Sequence, residues 1–428
     1  MNNKQVFVAN GALWAAFNGF TSVYLVAFAL ALGASNVIVG IIGSLPFLAY
    51  LITQIPGAEL AQHYSRVKVY FIFTLIGRLF WIPLLLAPYI ITKPLMMVIL
   101  FFLLYKIGET IADPAWTSLM AETILPKHRG AFSSQRYGYI GLFGMIAIIL
   151  GGIWLKQFPK DSPNGFAIMF LAGLFMAVMA TFVALKIKEP KYKDHNHHTI
   201  KEFLTITGPL KNFTAFSVAF NFAFMLASPF FTVYMLKNLE INYMYYGIVT
   251  SVTTISQIIA SRYVGKLTDK FGDKHIGFLG YLGTALVPLM FLLITKQSLW
   301  LLVPVQIFSG IVWAAADIAG FNLLLGLADP KKRVFQIAEY NLYASLPLVI
   351  APILGGWITE NVAFILAGIP LIFVASSILR ALSSIFLLTI EEPRKRKEYH
   401  FPYIFRKIIH FNDGIGHVLH IIKKSKHK

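Results

Sequence analysis

Long hydrophobic stretches alternate with short polar segments along the whole chain. A helical stretch of about 20 residues is long enough to cross the hydrocarbon core of a bilayer. The pattern therefore predicts twelve membrane-spanning helices. They lie near residues 7–33, 37–62, 68–90, 95–124, 132–156, 164–187, 212–236, 243–266, 275–295, 299–328, 336–359 and 363–389.

The longest internal polar segment is "KIKEPKYKDHNHHTIKEFLTITGPLKN". Six predicted helices precede it and six follow it. This position divides the chain into two halves joined by a basic linker. The run "HNHH" at 195–198 could bind a metal, but no Cys or carboxylate pattern fixes a geometry there, so a solvated linker is the favoured interpretation. We expect an N-terminal bundle, a cytoplasmic linker, a C-terminal bundle and a basic tail, at residues 1–188, 189–211, 212–390 and 391–428.

Composition and charge support a membrane as the solvent. The chain is 57% hydrophobic and only 13% charged, whereas a soluble chain carries about 25% charged residues. With both ends placed in the cytoplasm, 29 of the 37 Lys and Arg residues fall on the cytoplasmic side and five outside. This bias predicts a multi-pass protein of the cytoplasmic membrane with both termini inside.

The same distribution explains the net charge of +18 without nucleic acid. The basic tail also carries an apolar face, so we expect an amphipathic helix on the anionic inner leaflet.

The first hydrophobic stretch has no cleavage site after a short apolar core, so we interpret it as a retained helix. The absence of cysteine excludes disulfides and Cys-metal sites.

The two halves repeat each other in sequence. Residues 112–152 and 316–356 align without a gap and share 15 of 41 positions, including Asp113 with Asp317 and "LGG" at the end of each segment. Duplicated halves are typical of transporters that bind substrate between the repeats. The sequence therefore predicts an all-α membrane protein with twelve transmembrane helices in two pseudo-symmetric six-helix bundles.

The segment "VGKLTDKFGDKH" between the eighth and ninth helices resembles the G-x-L-x-D-x-x-G loop of the Major Facilitator Superfamily, with Gly265, Asp269, Lys270 and Gly272 in matching places. The first-half segment "AELAQHYSRVK" is degenerate and keeps Arg66 of the basic positions. In the family such loops are gating elements. The resemblance therefore implies gating roles for these five residues and an alternating-access transporter as the fold and activity.

Two further signatures match only in part. "YKIGETIADPA" is similar to the fourth-helix signature of the family, with Lys106 in place of its Arg and Glu109 in place of its Gln. The fifth helix has the two glycines of the antiporter signature, but Ile148 stands where that signature has proline. The second departure weakens an assignment to antiport.

Charged residues occur where the chain should be inside the membrane. Lys106, Glu109, Asp113 and Trp116 recur at helical spacing and form one stripe on the fourth helix. Because charges facing lipid would cost about 2.5–3.5 kcal/mol each, the stripe should face a cavity or partner residues. One hypothesis makes Glu109, Asp113 and Lys106, with Asp317 in the other half, a proton-coupling group.

The alternative hypothesis is structural. Arg78 and Asp113 lie at similar depths in neighbouring helices, and so do Arg380 and Asp317. Each pair could form a buried salt bridge that holds its bundle together. For these pairs the structural interpretation is favoured over the proton-coupling one.

Polar and aromatic residues of four helices are candidates for a substrate cavity. The segments around Tyr24 and Tyr234 correspond loosely in the first and seventh helices. Single polar residues in membrane helices also commonly bridge helices, which is the alternative. The candidates are Asn18, Tyr24, Trp116, Asn221, Tyr234 and Trp313.

The function we expect is secondary transport of a small organic solute, powered by a proton or other ion gradient, with no cofactor, metal or catalytic residue. No ATP-binding Gly-rich loop is present. Proton-coupled export is the leading hypothesis, and proton-coupled or facilitative uptake of a sugar or other metabolite is the alternative. A membrane enzyme acting on lipids or glycans and a solute sensor on a transporter scaffold remain open. We expect a monomer whose partners are the solute and the lipid bilayer.

Overall fold

The structure is a computed structural model that describes residues 2–124, 129–189, 208–329, 333–363 and 366–393. Its described residues form twelve long helices and no β-strand beyond one isolated bridge. The helices are α1 (Asn3–Ala31), α2 (Asn36–His63), α3 (Arg66–Ile90), α4 (Pro94–Thr123), α5 (Arg129–Leu155), α6 (Asn164–Ala184), α7 (Pro209–Asn238), α8 (Tyr243–Phe271), α9 (Asp273–Leu292), α10 (Leu299–Leu327), α11 (Arg333–Asn361) and α12 (Ile369–Leu387).

Eleven of these helices, within the described part of the chain, are long and apolar enough to cross a membrane. The exception is α8, which has 29 residues but carries Ser, Thr, Gln and basic side chains along its length. Its length and its packing against α10 and α5 nevertheless make it the twelfth spanning helix. The prediction of an all-α, twelve-helix membrane protein is confirmed.

Two of the helices are not continuous. α1 is interrupted by a short 3₁₀ turn at Ser22–Tyr24, and α7 is interrupted at Ser228 and Pro229 before it ends in a π-helical turn. Both breaks lie in the first helix of their half. Tyr24 is the last residue of the 3₁₀ turn in α1, and Tyr234 is the first residue of the π-helical turn that ends α7, so neither tyrosine sits in a regular helical stripe.

The helices pack in the same pairs in both halves. In the first half, α1 packs against α5 and α6, α2 against α4, and α3 against α4 and α6. In the second half, α7 packs against α11 and α12, α8 against α10, and α9 against α10 and α12. The repeat seen in the sequence is therefore a repeat of the helix packing, and the first six helices form one bundle and the last six another.

The bundles meet along two related seams, α2 with α11 and α5 with α8. We call the end of the molecule that carries residues 2 and 393 the terminal end, and the opposite end the far end. At the far end the seams approach backbone to backbone: a Cβ on Gly356 would lie 2.5 Å from the Asn36 carbonyl oxygen, and one on Gly152 would lie 2.5 Å from that of Tyr243. The "GG" pairs repeated in the sequence are therefore the contact points of the two bundles.

The α5–α8 seam does not continue to the terminal end. A Cβ on Gly138 of α5 or on Gly265 of α8 would meet nothing within 4 Å. Tyr137 and Tyr263, on the same parts of these helices, are largely exposed. The two bundles therefore enclose a cleft that is closed at the far end and open at the terminal end.

Several predictions fall on residues that the structure does not describe. They are the Pro-Lys-x-Arg turns at 126–129 and 330–333, of which only residues 129 and 333 are placed, the histidines at 195–198, and the tail beyond 393. The exact limits of the linker and the tail therefore stay predictions.

Candidate functional site

The cleft face of α4 carries Asp113. Its side chain is exposed and interacts electrostatically with Tyr50 of α2. Tyr50 continues the stripe formed by Gly40, Gly43 and Phe47, which faces the second bundle: Gly40 approaches Pro352, Gly43 approaches Pro229, and Phe47 packs into a cluster of α7 and α11 residues. Asp113 therefore points towards the cleft between the bundles and away from the surrounding lipid.

Glu109, one turn before Asp113, forms a buried ion pair with Arg78 of α3. The Arg78 Nε lies 2.7 Å from Glu109 Oε1, and the two side chains are 0% and 15% exposed. Trp14 of α1 donates its indole N–H to Glu109 Oε2 at 3.1 Å. Arg78 also donates to the Ala177 carbonyl and to Thr181 Oγ1 of α6. The predicted pairing of Arg78 with Asp113 is thus wrong, because the carboxylate one turn away takes the guanidinium.

Asp113 has no hydrogen-bond or salt-bridge partner among the residues that the structure describes. Lys106, two turns before it, has its ammonium 4.9 Å from the ring centre of Tyr105 and 5.4 Å from that of Phe102. Lys106 interacts electrostatically with Asp113 and Glu109 but forms no described salt bridge. The stripe on α4 therefore holds one carboxylate that is paired with an arginine and one that has no described hydrogen-bond or ion-pair partner.

Asp317 occupies the corresponding place on α10. Its side chain is exposed, and its Oδ2 accepts a hydrogen bond of 2.8 Å from Gln257 Nε2 of α8. Trp313, one turn earlier, packs its ring on Phe224 of α7, with ring centres 4.8 Å apart. The acid and the ring on α10 therefore share the face directed towards α7 and the cleft.

Arg380 does not reach Asp317. It is 1% exposed and donates from Nε to Ser376 Oγ at 3.0 Å, from Nη1 to the Thr284 carbonyl at 2.9 Å and from Nη2 to the Phe224 carbonyl at 3.3 Å. The prediction of an Arg380–Asp317 salt bridge is wrong, because α12 packs mainly against α7 and α9 while Asp317 lies on α10. Arg380 and Arg78 nevertheless bridge corresponding helix pairs, α9 with α12 and α3 with α6.

Three of the predicted substrate-cavity residues lie in packed regions. Trp116 stacks on Tyr70 with ring centres 4.4 Å apart and is largely buried in the first bundle. Tyr234 packs against Phe373 in the second bundle. Tyr24 is fully buried at the far-end seam and donates to the Ile148 carbonyl at 2.6 Å. In this conformation, none of the three lines the open part of the cleft.

The two predicted asparagines bridge backbone groups. Asn18 donates from Nδ2 to the Trp14 carbonyl within α1, and Asn221 donates from Nδ2 to the Ala344 carbonyl of α11. Both side chains are half-buried. Their role in substrate contact stays a prediction, as does that of Trp313.

At the terminal end, Arg66 begins α3 and is held inside the first bundle. Its Nη1 lies 2.6 Å from Glu122 Oε1 of α4, and its Nε lies 3.2 Å from Glu189 Oε1 after α6. Glu189 also accepts from the Arg66 backbone N–H at 2.8 Å and from Ser65 Oγ at 2.5 Å. Partial burial alone would raise the pKa of Glu189, but the hydrogen bonds from Ser65 and Arg66 lower it below its ordinary value.

The second bundle repeats this arrangement with other residues. Glu392 after α12 accepts from the Lys274 backbone N–H at 2.8 Å, near the start of α9. Gly272 precedes α9 with a φ of +92°, and a Cβ there would lie 2.9 Å from Glu392 Oε2. The positive φ favours glycine at this place of the loop. Gly265 and Lys270 lie on the last turns of α8, where Lys270 is exposed and its ammonium approaches the Phe271 ring. Asp269 is exposed there too.

Sequence reasoning missed the partners that define the site. Trp14, Tyr50 and Gln257 orient or neighbour the carboxylates, and they belong to hydrophobic stretches where one polar or aromatic residue gives no distinct signal. Glu189 and Glu392 did carry a signal. Both precede a proline directly after the last helix of a bundle, as "KEP" and "EEP".

Comparisons with known proteins give the family. The sequence model of the Major Facilitator Superfamily matches residues 6–214 and 212–420. The class H tetracycline resistance protein of Pasteurella multocida is 31% identical over 155 residues, and this match spans only 36% of each chain.

Two solved structures share the fold. A mutant of the nucleoside transporter NupG superposes with a TM-score of 0.74 at 14% identity, covering 91% of this chain and 100% of that one. A bacterial homologue of the human lysosomal transporter Spinster, in an inward-facing and occupied conformation, gives a TM-score of 0.70 at 14% identity over 93% and 98% of the two chains. Together with the helix packing and the sequence match over both halves, these findings show that the chain is a multi-pass membrane protein of the Major Facilitator Superfamily.

Proposed function

We propose that the protein is a secondary transporter that moves a small organic solute by alternating access, with Asp113 as the group that carries the coupled proton. The observation that supports this most directly is the difference between two neighbouring carboxylates. Glu109 is neutralised by Arg78, whereas Asp113 faces the cleft without a described partner.

The mechanism follows from the geometry of the cleft. The cleft is open at the terminal end, so Asp113 exchanges protons with the solution on that side. When the seams α2–α11 and α5–α8 open at the far end and the bundles close at the terminal end, Asp113 faces the other solution. A carboxylate that meets the two solutions in turn can take up a proton on one side and release it on the other.

Family membership favours a transporter over an enzyme, and no ATP-binding loop is present in the sequence. Similarity to a protein named for tetracycline resistance favours export, because removing a compound from the cell is one way to resist it. We therefore propose proton-coupled export across the cytoplasmic membrane, with both termini inside. Uptake of a metabolite is the alternative direction.

The test uses purified protein in liposomes and a solute identified by its ability to raise the melting temperature. Wild-type protein should exchange labelled solute across the membrane without a gradient and accumulate it when a pH gradient is imposed. Asp113→Asn should keep the exchange and lose the accumulation. Glu240→Gln serves as the control, since Glu240 pairs with Lys296 on the exposed surface of the far end. Full accumulation by Asp113→Asn would show that the coupling group lies elsewhere.

A further inference from the structure

The repeat preserves the aspartate on α10 but changes its surroundings. In the alignment of the two halves, Trp313 stands where α4 has Glu109, and Gly310 stands where α4 has Lys106. Asp317 has therefore lost both the ammonium and the ion-paired carboxylate that accompany Asp113. A difference of this kind between two otherwise repeated helices indicates that the two aspartates have different tasks.

Gly310, which stands where α4 has Lys106, also helps to position Asp317. A Cβ on Gly310 would lie 2.5 Å from the Thr253 carbonyl and 2.8 Å from the Gln257 backbone nitrogen, so α8 and α10 touch there. This contact brings the Gln257 amide within 2.8 Å of the Asp317 carboxylate. The carboxylate is therefore oriented by a neutral amide donor and not by a cationic side chain.

A group of packed aromatic rings lies one helical turn away from the Asp317 carboxylate. The Trp313 ring packs edge-to-face on Phe224 at 4.8 Å and approaches Phe220 at 6.3 Å. Trp313 is half-buried, so part of its side chain remains accessible. A carboxylate beside exposed aromatic surface attracts a cation with an apolar body, since the ion pair is strengthened in a poorly solvated cleft and the ring face adds a cation–π contact.

The other charged and titratable groups nearby do not pair with the Asp317 carboxylate. Arg380 lies beneath Phe224 and gives its donors to Ser376 and to two backbone carbonyls in the bundle core. Tyr281 of α9 packs against Phe216 and Phe220 and is a neutral phenol. No cation lies within salt-bridge distance of Asp317 among the described residues.

We propose that Asp317 and Trp313 form the subsite that binds the cationic group of the transported solute, an organic amine or quaternary cation with an apolar body. The proposal rests on the proposed transport function. It assigns the proton to the first bundle, at Asp113, and the cationic group of the solute to the second bundle, at Asp317.

The test compares two probes of nearly equal shape and opposite charge, tetraphenylphosphonium and tetraphenylborate, by equilibrium dialysis against the purified full-length protein at one fixed pH. Wild-type protein should bind the phosphonium cation and not the borate anion. Asp317→Asn should weaken cation binding about tenfold or more, whereas Asp317→Glu and the exposed-surface control Glu240→Gln should stay within about threefold of wild type. Trp313→Leu should weaken binding more than Trp313→Phe.

A second measurement does not depend on the stability of the Asp317 variant. The chain contains no cysteine, so Phe321→Cys, one turn beyond Asp317 on the exposed face of α10, introduces a single thiol. The phosphonium cation should slow its reaction with a maleimide, and the borate should not. Equal protection by both ions, equal binding of both ions, absence of cation binding to the wild type, or unchanged binding in Asp317→Asn would each overturn the proposal.

The result is separable from the transport test. Dialysis in detergent involves neither a membrane nor a pH gradient, so a failure of proton coupling at Asp113 leaves the binding result unchanged. Conversely, gradient-driven transport with unaltered cation binding in Asp317→Asn would contradict the subsite and leave the transport function standing.

Discussion

Glu109 and Asp113 are one turn apart in α4, yet only Glu109 is held by an arginine. Removing one partner of a buried ion pair is costly, because the charge of the other partner then remains in a poorly solvated place. Replacing both partners with apolar residues of similar size avoids this cost. The Arg78–Glu109 pair should therefore behave as a structural bond that can be removed as a unit.

We predict that Glu109→Gln lowers the free energy of unfolding by about 3–5 kcal/mol, because Arg78 loses its counter-charge. The double variant Arg78→Met/Glu109→Leu should recover most of this loss. The melting temperature of the detergent-solubilised protein measures both. If the double variant is no more stable than Glu109→Gln, the pair is not a self-contained structural unit.

Glu189 gives a prediction with a defined pH dependence. Its pKa is lowered in the folded protein, so its contribution is complete above the ordinary value of 4.5 and is lost as the pH falls through the lower folded value. At about pH 7, Glu189→Gln should lower the free energy of unfolding by about 1.5–3 kcal/mol, which is the typical contribution of a hydrogen bond to a charged group.

The difference in melting temperature between wild type and Glu189→Gln should shrink as the pH falls below 4.5. The matched control is Glu240→Gln, because Glu240 and Lys296 form an exposed pair, which contributes little to stability. A difference that stays constant down to strongly acidic pH would show that the carboxylate charge of Glu189 is not what links α3 to the end of α6.

At this scale the sequence does not predict which side chains pair. Counting residues placed Arg78 and Asp113 at similar depths, but in the structure Arg78 pairs with Glu109, one turn away from Asp113. Counting also matched Arg380 with Asp317, yet α12 packs mainly against α7 and α9 and not against α10. Hydrophobic runs alone do not specify either the rotation or the packing of a helix.

Among the elements, the seams depend on four helices and on small residues at their contact points. Gly356 of α11 lies against the backbone of Asn36 and Val37 in α2, and Gly152 of α5 lies against that of Tyr243 and Met244 in α8. Side chains at these glycines would hold the helices apart. The "LGG" repeat of the sequence is thus explained by a repeated contact between bundles.

We predict that Gly356→Ala opens the far end of the α2–α11 seam. The added Cβ would lie 2.5 Å from a backbone oxygen, and overpacking of this kind costs about 1–3 kcal/mol, enough to shift an equilibrium about tenfold. A cysteine at Ala351, which is fully buried beside this seam, should react faster with a maleimide in the variant.

Gly138→Ala is the control for this experiment, since a Cβ there meets open space. It should leave the labelling rate at Ala351→Cys unchanged. Equal rates in wild type and Gly356→Ala would mean that the glycine contact does not hold the far end closed.

The elements themselves were largely predictable. All twelve helices lie where the hydrophobic stretches predicted them, because a membrane-spanning helix must satisfy its own backbone and remain apolar over its length. The interruptions of α1 and α7 were not predicted. The chain around Thr21 is uniformly apolar or small, so nothing in the pattern marks the 3₁₀ turn there.

At the scale of the whole molecule, two repeated bundles enclose one cleft with an unpaired aspartate on one wall and an amide-bound aspartate on the other. The duplication was visible in the sequence, and the packing follows it pair by pair. The direction in which the cleft opens was not visible, because it depends on which ends of α2, α5, α8 and α11 touch in this conformation.

We infer that the two bundles rock about this cleft and that the charge on Asp113 biases the motion. The chain has no cysteine, so spin labels can be placed in pairs: Tyr137→Cys with Arg262→Cys at the terminal end, and Lys156→Cys with Lys237→Cys at the far end. All four positions are exposed.

The most direct measurement is the distance distribution of each pair by pulsed electron paramagnetic resonance, with Asp113 and with Asp113→Asn as the mimic of the protonated state. We predict that this substitution shifts the two distances in opposite directions, one end closing as the other opens. Distances that both remain unchanged, or that change in the same direction, would contradict it.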